Sequence, residues 1–142
     1  MAIKIGILKE TANNETRVAV VPEIAKKLAA SGAEFLIEIN AGRSAGFNDG
    51  DYSEGCTFKE SREAVLSGCD ILLTVNPPND QDIKSLKGGT IVIGFMSPFE
   101  NQHLIKQMAQ QNVVAFSVEL IPRISRAQSM DALSSQASIA GY

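Results

Sequence analysis

The chain has 142 residues and a net charge of −3, with 44% hydrophobic and 20% charged residues. This balance excludes a disordered chain and lacks the basic excess of nucleic-acid binders, so we expect no nucleic-acid partner. Its apolar runs are far shorter than the ~20 residues that span a bilayer, so we expect a soluble chain that does not insert into a membrane.

Five apolar runs predict the strands of a single domain. They are residues 3–8, 35–39, 70–75, 90–95 and 113–118. We expect the first strand to be central, with Gly6 marking the close approach of another element, and the last strand to be buried. A brief extended piece lies at Thr57 and Phe58.

Four stretches between these runs have helical periodicity. They are residues 23–30, 61–66, 80–86 and 100–111. Pro22 suits the first turn of the first helix, because the N–H that it lacks is not needed there. We expect Ile24, Leu28 and the alanines of this helix to face inward. In the last helix, we expect an apolar stripe of Leu104, Ile105 and Met108.

The alternation of apolar strands and helices predicts a parallel sheet that is covered on both faces. With right-handed crossovers, it is a three-layer doubly wound α/β fold, flavodoxin-like or Rossmann-like, of about five strands in the order 2-1-3-4-5. The strand-to-helix turns contain no G-x-G-x-x-G motif, so the dinucleotide-binding turn is missing. Cys56 and Cys69 match no metal spacing; we expect small core residues and no metal.

A segment rich in hydrogen-bonding side chains follows the last predicted strand. Residues 123–136 carry guanidinium, amide, carboxylate and hydroxyl groups. A solvated loop that enters a helix has a similar composition. Because ligands of open α/β sheets gather at the carboxyl ends of the strands, the position of this segment favours a binding role.

Three blocks of the sequence carry a resemblance to known families. Residues 5–10 and 14–19 read IGILKE and NETRVA, residues 42–47 read GRSAGF, and residues 122–136 read PRISRAQSMDALSSQ. The first two blocks resemble those shared by alanine dehydrogenases and the alpha subunits of proton-translocating NAD(P) transhydrogenases. The last block is similar to the nicotinamide-contacting loop of the transhydrogenases, and the resemblance covers essentially the whole chain.

Two departures separate these families. By the resemblance, an alanine dehydrogenase holds pyruvate or alanine with an arginine in the first block, a lysine after the third strand and a histidine after the fourth. Arg17 fits, but Asn76 and Met96 stand where the lysine and histidine are expected. Without them there is no acid/base pair for imine chemistry, which favours the transhydrogenases. The single histidine, His103, is expected to be solvated, and Arg17 to pair with Glu10 or Glu15.

The resemblance implies that this chain contacts NAD(H) through its last block. Arg123, Gln128 and Asp131 take the catalytic and cofactor-binding roles, with Arg123 nearest the nicotinamide ring, and Ser134 also contacts the cofactor. Hydride transfer needs no general acid on the protein; it needs two rings held face to face with water excluded. The second ring belongs to NADP(H) on a partner subunit.

The resemblance also implies that residues 1–142 form the N-terminal domain of a longer subunit. Residues 126–142 then begin a helix that leads to an absent NAD-binding Rossmann domain, and the fragment alone is expected to be inactive. The implied partners are the beta subunit, the membrane domain and a second copy of the full subunit, on the cytoplasmic side of the inner or plasma membrane. Two alternatives stay open. One is an oxidoreductase of the alanine dehydrogenase type; the other is a non-catalytic α/β module or dimerisation scaffold, which the missing fingerprint favours for this chain alone.

Overall fold

A computed structural model describes residues 2–52 and 54–120, which form one parallel sheet and its helices. The strands are β1 (Lys4–Ile7), β2 (Glu34–Glu38), β3 (Cys56–Lys59), β4 (Ile71–Leu73), β5 (Ile91–Gly94) and β6 (Val114–Ser117). The helices are α1 (Pro22–Ala30), α2 (Arg62–Gly68), α3 (Asp80–Ser85) and α4 (Gln102–Gln110). Short 3₁₀ turns lie at Arg43–Ala45, Asp49–Asp51 and Val118–Leu120.

The sheet has the spatial order β3-β2-β1-β4-β5-β6, and all of its neighbouring strands are parallel. The predicted α/β class and the order of the five apolar strands are confirmed, with β1 central. The sheet has six strands, however, because the extended piece at Thr57 and Phe58 pairs with β2 and forms the edge strand β3. The sequence of β3, CTFK, is too short and too polar for its periodicity to predict a strand.

Two apolar clusters lie on opposite faces of the sheet. On one face, α2, α3 and α4 pack over Leu72, Val92 and other buried residues. On the other, which we call the α1 face, Ala25 of α1 packs with Ile7 and its neighbours. Gly6 permits the predicted close approach of α2, because a Cβ atom there would lie 2.9 Å from Cβ of Cys69 at the end of that helix.

The α1 face is covered over β1 and β2 but open over β6. Ile7 of β1 is 0% exposed, whereas Val114 and Phe116 of β6 are 49% and 56% exposed. Right-handed crossovers place α2, α3 and α4 on the opposite face, so that among the described residues only α1 lies on this one. The prediction of a buried last strand is therefore wrong for Val114 and Phe116, because in the described part of the chain α1 does not extend over β6.

In α1, Ala25 and Leu28 face inward as predicted, whereas Ile24 does not. Ala25 is 0% exposed, Leu28 is half-buried, and Ile24 is 42% exposed. The small Ala25 lets the helix approach the sheet closely, which leaves the larger Ile24 at the rim. In α4 the predicted stripe is confirmed, because Leu104 and Met108 are both buried.

Candidate functional site

A cleft opens where the chain reverses its winding direction, at the carboxyl ends of β1 and β4. From β1 the chain moves to β2 and β3 on one side, and then crosses to β4 on the other. Ligands of open α/β sheets bind at such switch points. A cavity of about 200 Å³ lies here, and its polar lining includes Glu10, Thr11, Arg62, Asn76, Asn79 and Asp82.

Glu10 binds the end of β4. Its carboxylate accepts hydrogen bonds from the backbone N–H groups of Val75 and Asn76, each at 3.0 Å. The side-chain Nδ2 of Asn76 donates to Oε1 of Glu15 at 2.9 Å. A carboxylate of the protein thus occupies the N–H groups that could otherwise receive an anionic ligand at this strand end.

Arg17 pairs with Glu15, one of the two partners expected from the sequence. Nε donates to Oε2 of Glu15 and Nη2 to Oε1, both at 2.8 Å, which is the bidentate geometry of a strong ion pair. The guanidinium also lies 6.0 Å from the centroid of the Phe95 ring. The hydrogen bonds from Arg17 lower the pKa of Glu15 to about 2, and Glu15 in turn raises the pKa of Arg17.

Arg62, the first residue of α2, joins three elements at the same edge. It binds Asp82 of α3 through Nε at 2.7 Å and Nη2 at 2.9 Å, and its Nη1 donates to Glu38 at the end of β2 at 3.0 Å. Nη1 also donates to the carbonyl of Lys9 at 2.7 Å. Burial lowers the pKa of Arg62, but the hydrogen bonds and charges of Asp82 and Glu38 outweigh it, and the pKa is raised.

Asp82 is itself held by Asn79. The backbone N–H of Asn79 donates to Oδ2 of Asp82 at 3.1 Å, and the N–H of Asp82 donates to Oδ1 of Asn79 at 2.8 Å. This reciprocal capping box begins α3 and leaves Asp82 only 3% exposed. The wall of the cleft formed by Arg62 and Asp82 is therefore rigidly built.

Glu119 binds the end of β5. Its Oε1 accepts the N–H of Met96 at 3.1 Å, and its Oε2 accepts the N–H of Ser97 at 3.2 Å. The hydroxyl of Ser117 also donates to Oε1. Glu10 and Glu119 therefore each accept hydrogen bonds from two consecutive backbone N–H groups, at the ends of the neighbouring strands β4 and β5.

The residues at the positions of the expected lysine and histidine both have structural contacts. Asn76 contacts the carboxylates of Glu10 and Glu15, and Met96 is 0% exposed within the core. His103 lies exposed on α4, as expected. Neither Asn76 nor Met96 can donate or accept a proton at neutral pH, so these two positions supply no acid/base pair.

The predicted contact residues Arg123, Gln128, Asp131 and Ser134 lie outside the described residues. Sequence reasoning did not single out Arg62, Asp82, Glu38 or Glu119 as members of the site. A signal for the glutamates exists, since each lies at the end of a strand or shortly after one, where unpaired N–H groups collect.

In residues 2–52 and 54–120, no three His, Cys, Asp or Glu side chains are grouped to hold a metal ion. Both cysteines are free; Cys69 is buried and Cys56 half-buried. Burial raises the pKa of Cys69 to about 11, so its thiol stays protonated and is a poor nucleophile at neutral pH. Within the same ranges, no helix has the length and hydrophobicity that are needed to cross a bilayer.

Comparisons with known proteins agree with this architecture. The sequence profile of the family "Alanine dehydrogenase/PNT, N-terminal domain" matches residues 6–140. The chain is 38% identical to the NAD(P) transhydrogenase subunit alpha of Cereibacter sphaeroides, over 99% of this chain and 27% of that protein. It is 30% identical to the alanine dehydrogenase of Staphylococcus epidermidis, over 84% of this chain and 32% of that protein.

Among solved structures, the chain resembles the crystal structure of transhydrogenase from Sinorhizobium meliloti. The TM-score is 0.91 and the identity 39%, over 98% of this chain and 42% of that one. The chain thus spans less than half the length of the relatives it matches. Because the family profile covers nearly the whole sequence, the chain belongs to the alanine dehydrogenase/PNT N-terminal domain family.

Proposed function

We propose that this chain is the N-terminal part of the NAD(H)-binding component of a proton-translocating NAD(P) transhydrogenase. In the full complex, hydride passes from NADH to NADP+ held on a partner subunit. One observation carries the choice within the family. Asn76, which is hydrogen-bonded to Glu15, and Met96, which is buried, stand where a dehydrogenase of α-amino acids needs an acid/base pair. The similarity to transhydrogenase alpha subunits supports the same choice.

The strand ends in the described part of the chain are poorly suited to the phosphates of the cofactor. Phosphates need free N–H groups at a glycine-rich turn, and here Glu10 and Glu119 occupy the N–H groups at the ends of β4 and β5. When bound, NADH supplies the hydride. Gln128 and Asp131 hold the carboxamide of the ring, with Ser134 beside them, and Arg123 lies nearest the ring. These residues orient and enclose the ring and exchange no proton with it.

The other parts that hydride transfer requires are proposed to correspond to the portions of the relatives that this chain does not cover. Residues 1–142 then form one domain, in which residues 126–142 begin a helix toward a Rossmann domain that holds the phosphates and adenosine. The beta subunit and a membrane domain supply NADP(H) and the proton path, and the full subunit forms a homodimer. The site faces the cytoplasm. The chain alone, without these parts, is expected to be inactive.

A non-catalytic α/β module is the second candidate. The missing glycine-rich turn favours it for the chain in isolation, because this domain then lacks the turn that holds the phosphates of a dinucleotide, and we expect it to bind NAD(H) weakly, if at all.

The test uses the full-length subunit mixed with its NADP-binding partner. We expect stopped-flow spectroscopy to record hydride transfer from NADH to an NADP analogue, and no reduction of NAD+ when L-alanine is added. Reduction that depends on alanine would identify the alanine dehydrogenase type. Absence of both activities, in a subunit that binds its partner, would favour the non-catalytic module.

A further inference from the structure

The turn between β5 and α4 forms a small anion-binding nest that a carboxylate of the chain fills. Ser97 has φ = 43°, in the left-handed region, so the N–H groups of Met96 and Ser97 point to the same side. Both donate to the carboxylate of Glu119, at 3.1 and 3.2 Å. On the other side, Nδ2 of Asn101 donates to the carbonyls of Met96 and Ser97, at 3.0 and 3.3 Å, and holds the turn in shape.

Glu119 lies at the point where the chain leaves the sheet. It comes two residues after the end of β6 and four residues before Arg123. Its carboxylate joins the ends of two neighbouring strands, because the nest follows β5 and Ser117 ends β6. The carboxylate therefore anchors residue 119 to the turn after β5.

We propose that Glu119 is a positioning residue for the segment that carries Arg123, Gln128 and Asp131. The proposal rests on the function proposed above, in which these three residues orient the nicotinamide ring. Glu119 does not touch the cofactor; it anchors the chain to the turn after β5, four residues before Arg123 in the sequence. Because a misplacement of about 1 Å at the ring costs roughly a hundredfold in rate, a tether at the base of the segment acts on hydride transfer rather than on overall affinity.

The role of Glu119 can be tested by chemical rescue, because its side chain is accessible. The residue is exposed, so a small anion can reach the nest when the side chain is removed. Acetate has the same carboxylate group, and it can accept the two vacated N–H bonds. If Glu119 acted only through packing, acetate would not restore the function lost in a variant that lacks its side chain.

The experiment uses the full-length subunit with its NADP-binding partner. In Glu119→Ala, we expect hydride transfer to fall about ten- to a hundredfold while the Kd for NADH changes less than about threefold. Amide hydrogen exchange of residues 121–134 is expected to accelerate, and acetate to reverse both effects in part. Glu119→Gln keeps one acceptor oxygen, so its transfer and exchange rates should lie between those of wild type and Glu119→Ala. This variant still tests the proposal if Glu119→Ala does not fold. Glu100→Ala, another exposed glutamate in the same turn region, is the matched control and should behave as wild type.

Several outcomes would overturn the proposal. Unchanged exchange at residues 121–134 would mean that Glu119 is no tether, and an unchanged transfer rate would mean that the tether does not position the ring. A loss that neither acetate nor the glutamine variant reverses would assign Glu119 to stability alone. If wild-type subunits transfer no hydride, the proposed function fails, and the exchange data still decide whether Glu119 holds the segment.

Discussion

The carboxylates of Glu15 and Glu23 have different environments. Glu15 is bound by Arg17 and by Asn76 and has a side chain only 9% exposed, whereas Glu23 of α1 is 80% exposed. A carboxylate that accepts hydrogen bonds of this kind is stabilised in its ionised form. This contrast predicts which residue links stability to pH.

The pKa of Glu15, about 2 against an ordinary 4.5, predicts acid sensitivity. Because the folded pKa is the lower one, ionised Glu15 stabilises the fold fully above pH 4.5, and this contribution disappears as the pH falls toward 2. The difference in Tm between wild type and Glu15→Gln should therefore be constant from pH 5 to 7 and shrink between about pH 4.5 and 2. Scanning calorimetry across this range measures it. A difference that stays flat from about pH 7 to 2 would contradict the bound carboxylate.

Gln128 is proposed to grip the nicotinamide carboxamide in the full-length subunit. Gln128→Asn keeps the amide but shortens its reach, so hydride transfer should slow by about a hundredfold while the Kd for NADH changes only a few-fold. Arg123→Ala should slow transfer and also weaken binding, because a charged partner is lost. Stopped-flow rates and calorimetric affinities measure the two effects. Unchanged transfer rates in both variants would leave residues 123–134 as an ordinary solvated connection.

At the scale of elements, β5 and β6 differ in how much of their side-chain surface is covered. Val92 of β5 points toward α4 and is 0% exposed, whereas Val114 of β6 lies on the α1 face and is 49% exposed. Both are valines in parallel strands of the same sheet. They therefore form a matched pair in which burial is the main difference.

Val92→Ala should cost about 1–3 kcal/mol of unfolding free energy, because it removes two buried methyl groups and leaves a cavity. Val114→Ala should cost about 0.5 kcal/mol, chiefly from the lower strand preference of alanine. Urea unfolding of the two variants measures the difference. Equal losses would mean that β6 is covered in solution as thoroughly as β5.

At the scale of the molecule, Arg62 holds the two halves of the sheet together at its carboxyl edge. It contacts Glu38 of β2, the carbonyl of Lys9 after β1, and Asp82 of α3, which packs with α2. The winding direction changes between these halves, and Arg62 lies at the start of α2, in the crossover that leads from β3 to β4. One guanidinium therefore connects segments that are distant in sequence.

Arg62→Met should destabilise the fold by about 3 kcal/mol or more, because the carboxylate of Asp82 stays buried without its partner. Lys87→Met breaks the ion pair with Asp70, in which both side chains are 47% exposed, and should cost about 0–1 kcal/mol. Chemical unfolding of both variants compares them directly. Similar losses would show that the Arg62 cluster is solvated and contributes like a surface pair.

Local patterns of the sequence determined the elements other than β3, the parallel class and the order of the five apolar strands. Apolar runs such as residues 90–95 need no distant partner to be recognised, and the helices between them require crossovers of one hand. The missing glycine-rich turn is also apparent in the sequence, and the resemblance to alanine dehydrogenases places Asn76 and Met96 where a lysine and a histidine are expected. These features depend on residue type and spacing, which the chain carries without folding.

Only the tertiary structure decided which surfaces are covered and which charges meet. Ile24 is exposed because the small Ala25 faces the sheet, and Phe116 is exposed because the crossover helices lie on the other face. Arg62 meets Asp82 across 20 positions of sequence, and Glu119 reaches the N–H of Met96 across 23. Burial and ion pairing depend on the distance between segments in space, and a pattern of neighbouring residues contains no information about that distance.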